Sequence, residues 1–322
     1  MTMSELYRDL NSYLRDRFGE RVQKVPIDAG FTCPNRDGTI SSTGCIFCSP
    51  RGSAAGFVDL KKSVSEQLEQ GIATSRARYR ASKFIAYFQA FTNTYLPGAA
   101  GSGTPKDLAA VLMKVYQPAL DHPDIVGLAV GTRPDCLSDA VIEMLLDISR
   151  TKLVFLELGL QSVHDATLSA INRGHDFASF ADAVRRVENL RTLSSQPAGN
   201  TGLDIVVHLI LGLPGETREM MLETARQVAL MSVQGVKIHM LHVIRGTPLE
   251  TMYRAGTVPL LSLEAYCDLV CEVLDILPSE MVIHRLTGEA SSGDLVAPEW
   301  VLDKSKVRAA IQARLQQRRQ AL

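Results

Sequence analysis

Six largely apolar runs, at 22–27, 83–89, 125–130, 152–160, 203–211 and 236–244, divide this 322-residue chain. The stretches between them carry apolar residues at helical spacing, at about 60–80, 107–116, 139–149, in two pieces within 165–190, and at 217–231. A strand that is apolar on both faces has no solvated side, which is the condition of parallel sheets covered by helices. Strand and helix in alternation therefore predict an α/β protein with right-handed crossovers. The pattern alone does not separate a barrel from an open doubly wound sheet. The length allows one barrel-sized domain or a barrel with an appendage.

Composition narrows the function classes. Hydrophobic content is 46% and the formal net charge is −1, so the whole-chain balance makes no case for nucleic acid. No apolar run approaches the roughly 20 residues that span a bilayer. The N-terminal stretch, a charged amphipathic helix over 4–18 with Leu6, Leu10, Tyr13 and Leu14 on one face, lacks a secretory apolar core. A cytoplasmic location is expected, without a membrane, and there reduced thiols suit metal binding better than disulfides. No Walker-type loop and no Ser-His-Asp order suggests another chemistry.

Polar residues gather where the strands end: Cys33, Gln89, Arg133 with Asp135, Gln161, His208, and the turn GLPGE at 212–216. In parallel α/β architectures ligands bind at that edge. The densest group is the stretch 28–48, DAGFTCPNRDGTISSTGCIFC, which holds three of the six cysteines: Cys33, then Cys45 and Cys48 as a C-x2-C pair. Pro34, Asn35, Asp37, Gly38 and Gly44 make it a turn-rich loop. Three thiols on one loop suggest metal ligation. A closed zinc site needs a fourth ligand, and the first histidine is His122. A cluster held by three thiolates would keep one iron open. Spacing alone leaves zinc, a cluster and incidental thiols all standing.

CPNRDGT followed by GCIFC resembles the radical SAM superfamily and, more narrowly, its YhcC/YtqA-like group. The wide first gap departs from the usual C-x3-C-x2-C spacing and matches the narrower group, and Phe47 before the last cysteine is typical of the superfamily. The resemblance covers about 22–256. It implies an incomplete (βα)6 parallel TIM-like barrel with an N-terminal helix over 1–21 and a small helical C-terminal extension over 257–322. It further implies a 4Fe-4S cluster on Cys33, Cys45 and Cys48, whose fourth iron takes S-adenosylmethionine. Reductive cleavage of the sulfonium would then give a 5'-deoxyadenosyl radical that removes hydrogen from a substrate.

Other segments resemble parts of the same families. ELGLQS at 157–162 and NRGH at 172–175 are similar to paired segments of the coproporphyrinogen-oxidase-like branch, where the Gln contacts the cofactor ribose and an Arg twelve positions later reaches its carboxylate; Gln161 and Arg173 have that separation. His208 and Gly131 stand where that branch has acids, so Glu157 is expected either to supply the missing carboxylate or to be a buried ion partner. The backbone at Gly212 would pass close to the adenosyl group, and Gln89, near Tyr87 and residues 92–94, would meet the methionine amino group. Taken as residues alone, the glycines could simply form a tight turn and Tyr87 could be core.

The remaining signals are weaker. Alternation puts Lys237 and His239 on one strand face and His242 on the other, with His239 the preferred residue on the substrate side. Cys267 and Cys271, four apart on a helix over 263–277 among apolar neighbours, read as core, and Cys136 has no obvious partner. HRLTGE at 284–289 resembles a segment of the narrower group and would either close over substrate or form a surface turn. The basic tail beyond Trp300 is either a solvated helix face or an attraction for RNA phosphates. The narrower resemblance suggests a tRNA wobble uridine as substrate, with a reductase or flavodoxin-type electron donor. The alternatives are a small metabolite or tetrapyrrole, or a non-catalytic metal- or haem-carrying protein.

Overall fold

The computed structural model describes residues 6–52, 59, 61–97, 104–194 and 202–320. Two stretches that the sequence suggests as irregular, the Gly- and Pro-containing 92–106 and the polar 191–201, lie partly outside these residues. In order the elements are α1 Leu10–Phe18, β1 Val22–Ile27, α2 Val64–Tyr79, β2 Lys83–Phe88, α3 Pro105–Leu120, β3 Ile125–Thr132 and α4 Asp139–Ile148. Then follow β4 Leu153–Gln161, α5 Asp165–Ala170, α6 Phe177–Leu193, β5 Gly202–Leu211, α7 Arg218–Ala229 and β6 Gly235–Met240. The chain ends with β7 Val243–Ile244, α8 Pro248–Arg254, α9 Leu263–Ile276, β8 Val282–Arg285, β9 Leu295–Ala297 and α10 Lys304–Gln320.

Side chains of the expected type set the helix starts. Asp9 caps α1 by accepting from the N–H groups of Asn11 and Ser12 (2.9 and 3.1 Å), so that helix begins later than periodicity suggests. Reciprocal capping boxes, Ser63 with Glu66 and Thr104 with Asp107, open α2 and α3.

Seven strands form one parallel sheet in the order β1-β2-β3-β4-β5-β6-β8. The seventh strand comes from the segment read as the C-terminal extension. The run at 236–244 proves not to be one strand. It breaks after Met240, and Val243–Ile244 leaves to pair antiparallel with Leu295–Ala297.

Side-chain contacts show that the sheet curls. Six inter-strand gaps of about 4.8 Å would separate the edges of a flat sheet by about 29 Å. Instead Lys24 Nζ on β1 lies 3.4 Å from His284 Nδ1 on β8, across a seam where the barrel is left open. Helix α1 straddles that seam at the N-terminal end of the strands: the N–H of Ile283 donates to Arg8 O at 2.8 Å. Tyr13 and Leu14 of α1 pack inside on Val22, Ile85, Ala129, Phe155, Val206 and Val282, and Tyr13 Oη donates to Asp204 at 2.6 Å. The N-terminal mouth is plugged. Outside the sheet a larger apolar layer beneath the helices includes the fully buried Cys267 and Cys271, which are core as expected.

Candidate active site

The cysteine loop leaves β1 at the C-terminal edge of the sheet. Gln67 of α2 pins its first residue, accepting from the N–H of Asp28 (2.9 Å) and donating to its carbonyl (2.8 Å). Tight turns fold the loop back: the N–H groups of Arg36 and Asp37 both donate to Cys33 O, and the N–H of Cys48 to Cys45 O. The Arg36 guanidinium crosses Gly44 to reach the carbonyls of Cys48 and Ser49 at 2.6 and 2.8 Å. Gly44 has φ +75°, and a Cβ there would stand 2.8 Å from Arg36 Nε, so both backbone and space ask for glycine.

A second clamp reaches the loop from β4 and the turn after α5. Asn172 Nδ2 donates to Gly44 O (2.7 Å) and Thr43 Oγ1 (3.1 Å), while the N–H of Ile46 donates to Ile171 O (3.1 Å). Two N–H donors converge on one sulfur: Asn35 Nδ2 and Arg173 Nη1 each lie 3.7 Å from Cys45 Sγ. Arg173 also donates to Gly159 O (2.5 Å), and its own carbonyl accepts from the buried Arg133 (2.7 Å). A Cβ at Gly159 would come within 2.6 Å of Arg173 Nη2, so the close approach needs that glycine. Asn35 Oδ1 and Arg173 Nε are buried with no hydrogen-bond partner, polar atoms left over beside the thiols. Burial, then the nearby Cys45 thiol, push the Cys48 thiol up from its ordinary pKa.

This donor set fits a thiolate-held cluster, in which hydrogen bonds to sulfur help set the potential. Among the described residues no three His, Cys, Asp or Glu side chains close on one point as ligands of a single ion would. A cubane takes one thiolate per iron and needs its ligands further apart.

Below the loop the barrel lumen holds a buried charge cluster. Glu157, fully buried on β4, accepts from Lys24 (2.7 Å), from Lys237 and from His208 Nε2 (3.0 Å). Lys237 also donates to Tyr87 Oη at 2.9 Å, and Lys24 lies over the Phe155 ring at 4.7 Å. Burial alone would push the Glu157 carboxyl up, but Lys237, Lys24 and His208 hold it well below the usual carboxylate range. Burial, then the Lys237 charge, lower His208 to about 4, so its imidazole is neutral at pH 7. Burial in turn lowers Lys24, and lowers Lys237 well below its ordinary value, while Glu157 draws both back toward the charged form. From the lumen a cleft of about 1050 Å³ runs out along the β1–β8 seam, lined by Lys24, Tyr87, Gln89, Lys237 and His284 at its inner end.

The residues expected from sequence thus fall into two groups. Cys33, Cys45, Cys48, Phe47, Gln161, Arg173 and Gly212 lie along the C-terminal edge; Glu157 and His208 lie in the lumen and Gln89 at the cleft. Gln161 is a non-glycine residue at φ +78°, on a register shift that ends β4, where local strain marks functional sites. Phe47 packs with Ile46, Leu168, Ile171 and Leu213 beside the loop. Gly212, at φ +86°, packs on Leu261. Residues 92–94 are buried: Asn93 Nδ2 donates to Gly131 O (2.8 Å) and Thr94 meets Thr132 (2.6 Å), which seals the edge from below. Lys237 and His239 do face the lumen together, and the His239 ring lies 5.7 Å from that of His208. His284 sits on β8 in the lumen, not on a lid or a surface turn.

Sequence reasoning missed Lys24, took Asn35 only as a turn residue, and placed His284 on a lid or surface turn. A lysine in the middle of a strand bounded by Val22 and Ile27 was a usable sign for the first. Nothing local distinguishes Asn35 from the other turn residues.

Fold and loop together define a class: an α/β barrel protein with a three-cysteine loop at the carboxyl ends of its strands. Sequence comparison makes the class specific. The model of the radical SAM superfamily matches residues 33–228, and that of the radical SAM C-terminal domain matches 233–317. The chain belongs to the radical SAM superfamily; it is a radical SAM enzyme, whose cofactors are a 4Fe-4S cluster and S-adenosylmethionine.

It is 39% identical to the uncharacterised protein YtqA of Bacillus subtilis (strain 168) over 312 residues, 97% of this chain and 90% of that one. It is 38% identical to the protein YhcC of Escherichia coli (strain K12) over 301 residues, 93% of this chain and 89% of that one. Half of it aligns at 27% identity with a third of the tRNA uridine(34) acetyltransferase of Dehalococcoides mccartyi. Its fold is similar to the solved structure of the Methanocaldococcus infernus Elp3, with TM-score 0.59 and 17% identity, covering 91% of this chain and 63% of that one. No helix among the described residues is long and apolar enough to cross a membrane.

Proposed function

We propose that the enzyme modifies tRNA, acting on the side chain of a wobble uridine, with the cluster on Cys33, Cys45 and Cys48 and electrons from a flavodoxin-type donor. When bound, the cluster and S-adenosylmethionine supply one-electron cleavage of a sulfonium and hence a hydrogen-abstracting species. The residues of the chain do the rest. Arg36 and Asn172 hold the thiol loop over the lumen, and Asn35 and Arg173 donate to the Cys45 sulfur. Gln161 and Gly212, on the same edge, would border the cofactor. The α1 plug keeps water from entering at the N-terminal end.

The observation that carries the reading is the seam cleft, which joins the surface to the lumen at Lys24, Tyr87, Gln89 and Lys237 and is wide enough to admit a nucleotide. Likeness to a tRNA uridine(34) acetyltransferase supports the same substrate. The lumen lysines Lys24 and Lys237 support one alternative, a small anionic metabolite. Mass comparison of tRNA nucleosides from cells with and without the gene separates them. One altered wobble-uridine nucleoside is expected, and identical nucleoside profiles would overturn the tRNA reading.

A further inference from the structure

The expected RNA-binding element, the basic tail, has spent much of its charge within the molecule. Arg314 pairs with Asp268 (2.5 Å), Arg318 with Asp275 (2.6 Å) and Lys304 with Glu289 (2.5 Å). An ammonium or guanidinium already facing a carboxylate gains less from a phosphate, so the outer face of α10 is a poor polyanion track. The surplus lies elsewhere.

Eight Lys or Arg side chains line the seam cleft, against Asp9, Asp59 and Glu289, and two of the eight, Lys24 and Lys237, are already paired with Glu157. In a chain of net charge −1 that local excess is not a compositional accident. The three acids are partly occupied: Asp9 caps α1, Asp59 accepts from the N–H of Lys61, and Glu289 is shared by Arg285 (3.2 Å) and Lys304. Arg15, Arg21, Arg78 and Arg308 stand on the rim with no carboxylate within ion-pair distance among the described residues. Arg21 and Arg78 both lie on the Tyr79 ring, at 5.4 and 5.3 Å, which makes a cation–aromatic platform on the cleft wall.

Planar guanidinium and phenol groups give a base somewhere to stack, and the rim cations give phosphates somewhere to pair. The cleft, at about 1050 Å³, is larger than the ~300–1,000 Å³ typical of sites that enclose a single small molecule. Its inner end reaches Lys24, Lys237 and His284. A base in a stacked helix cannot enter a lumen bounded by strands, so an unpaired nucleotide is the form that fits.

The geometry points to the β1–β8 seam as a single-stranded RNA track. The Arg15, Arg21, Arg78 and Arg308 rim holds backbone phosphates, the Arg21–Tyr79–Arg78 platform stacks a base, and one loop nucleotide reaches through the seam to the lumen. This rests on the proposed tRNA function and names where that substrate lies.

The test is fluorescence anisotropy of the full chain, purified anaerobically, with a 17-nucleotide RNA stem-loop and a blunt RNA duplex as probes over a salt series. Arg21→Glu/Arg78→Glu is compared with the tail variant Lys306→Glu/Arg314→Glu. The rim variant is expected to weaken stem-loop binding by about 10-fold or more and to flatten the log–log salt slope by about 0.7 for each phosphate that no longer has a cation beside it. The tail variant and the wild type are expected to agree, with the stem-loop preferred over the duplex. Because the rim residues are exposed, the neutral Arg21→Gln/Arg78→Gln keeps the test valid if charge reversal disturbs folding, with a smaller loss in the same direction.

Unchanged binding in the rim variants, loss in the tail variant alone, or no RNA binding by the wild type would overturn the track. Failures are separable: normal binding by rim variants with an altered tRNA nucleoside in gene-deleted cells removes this inference alone. Rim-dependent binding with unaltered nucleosides removes the proposed substrate chemistry and leaves the track.

Discussion

Replacing Glu157 by Gln asks whether the buried charge cluster depends on the carboxylate at its centre. The side chain is fully buried and is shared by Lys24, Lys237 and His208. Gln keeps the shape and one acceptor oxygen but leaves two buried lysines, whose charged forms burial already disfavours, without a counter-ion. Breaking a buried pair by removing one partner costs about 3–5 kcal/mol. At about 2.1 cal/mol/K per residue, 322 residues give an unfolding entropy of about 0.7 kcal/mol/K, so the melting temperature should fall by about 4–7 °C. The assay is thermal unfolding of the metal-free chain followed by circular dichroism, which removes any shift from cluster binding. Glu157→Gln/Lys237→Met, which removes one stranded charge as well, should recover part of the loss because the two sites are coupled. A Glu157→Gln protein that melts within about 1 °C of wild type would refute the account of the lumen as a charge cluster held by one carboxylate.

Two further outcomes follow from the same geometry. Arg173→Gln removes a cation 3.7 Å from Cys45 Sγ, so the reduction midpoint of the reconstituted cluster, read by EPR-monitored titration, should move to more negative potential, with Arg173→Lys in between; a positive shift contradicts the clamp. Acid should destabilise the fold through its lumen histidines as the pH falls below about 6.5. His208 is lowered to about 4, and His239 and His284 lie well below their ordinary value, all chiefly through burial. These rings are neutral when folded and bind protons near pH 6.5 when unfolded, so their neutral-state stability is full above 6.5 and is lost as the pH falls below it, down to about 4 for His208. The loss is at most about 1.4 kcal/mol per pH unit for each ring, and urea midpoints measured at pH 7 and pH 5 should differ accordingly. Equal midpoints would contradict neutral lumen histidines.

Much of the barrel is legible in the chain because its strands are buried on both faces. Runs such as Leu153–Gln161 have no polar alternation and so admit only a covered parallel sheet. Curling is not legible, since it depends on the approach of β1 to β8, which are far apart in sequence and short. For the same reason Val282–Arg285 reads as a strand while nothing local marks it as the seventh of the sheet.

The thiol loop announces itself through composition and spacing. Its environment does not: Arg173 reads as a ligand for a cofactor carboxylate, and only the fold brings it to the Cys45 sulfur. Glu157 can be suspected from its apolar flanks, whereas its partner Lys24 lies 133 residues away. Charge on the tail looks available in sequence because acids on α9, at Asp268 and Asp275, are distant in the chain and adjacent in space.

The central assignment is that Cys33, Cys45 and Cys48 together hold a cluster with one iron open to S-adenosylmethionine. Anaerobic reconstitution with iron and sulfide, followed by dithionite reduction and EPR, tests it most directly. The predicted result is a 4Fe-4S signal that changes on addition of S-adenosylmethionine, with 5'-deoxyadenosine released, and its loss in Cys33→Ala, Cys45→Ala and Cys48→Ala but not in Cys267→Ala. A colourless chain that takes up a single zinc ion, or a cluster that survives in any of the three variants, would contradict it.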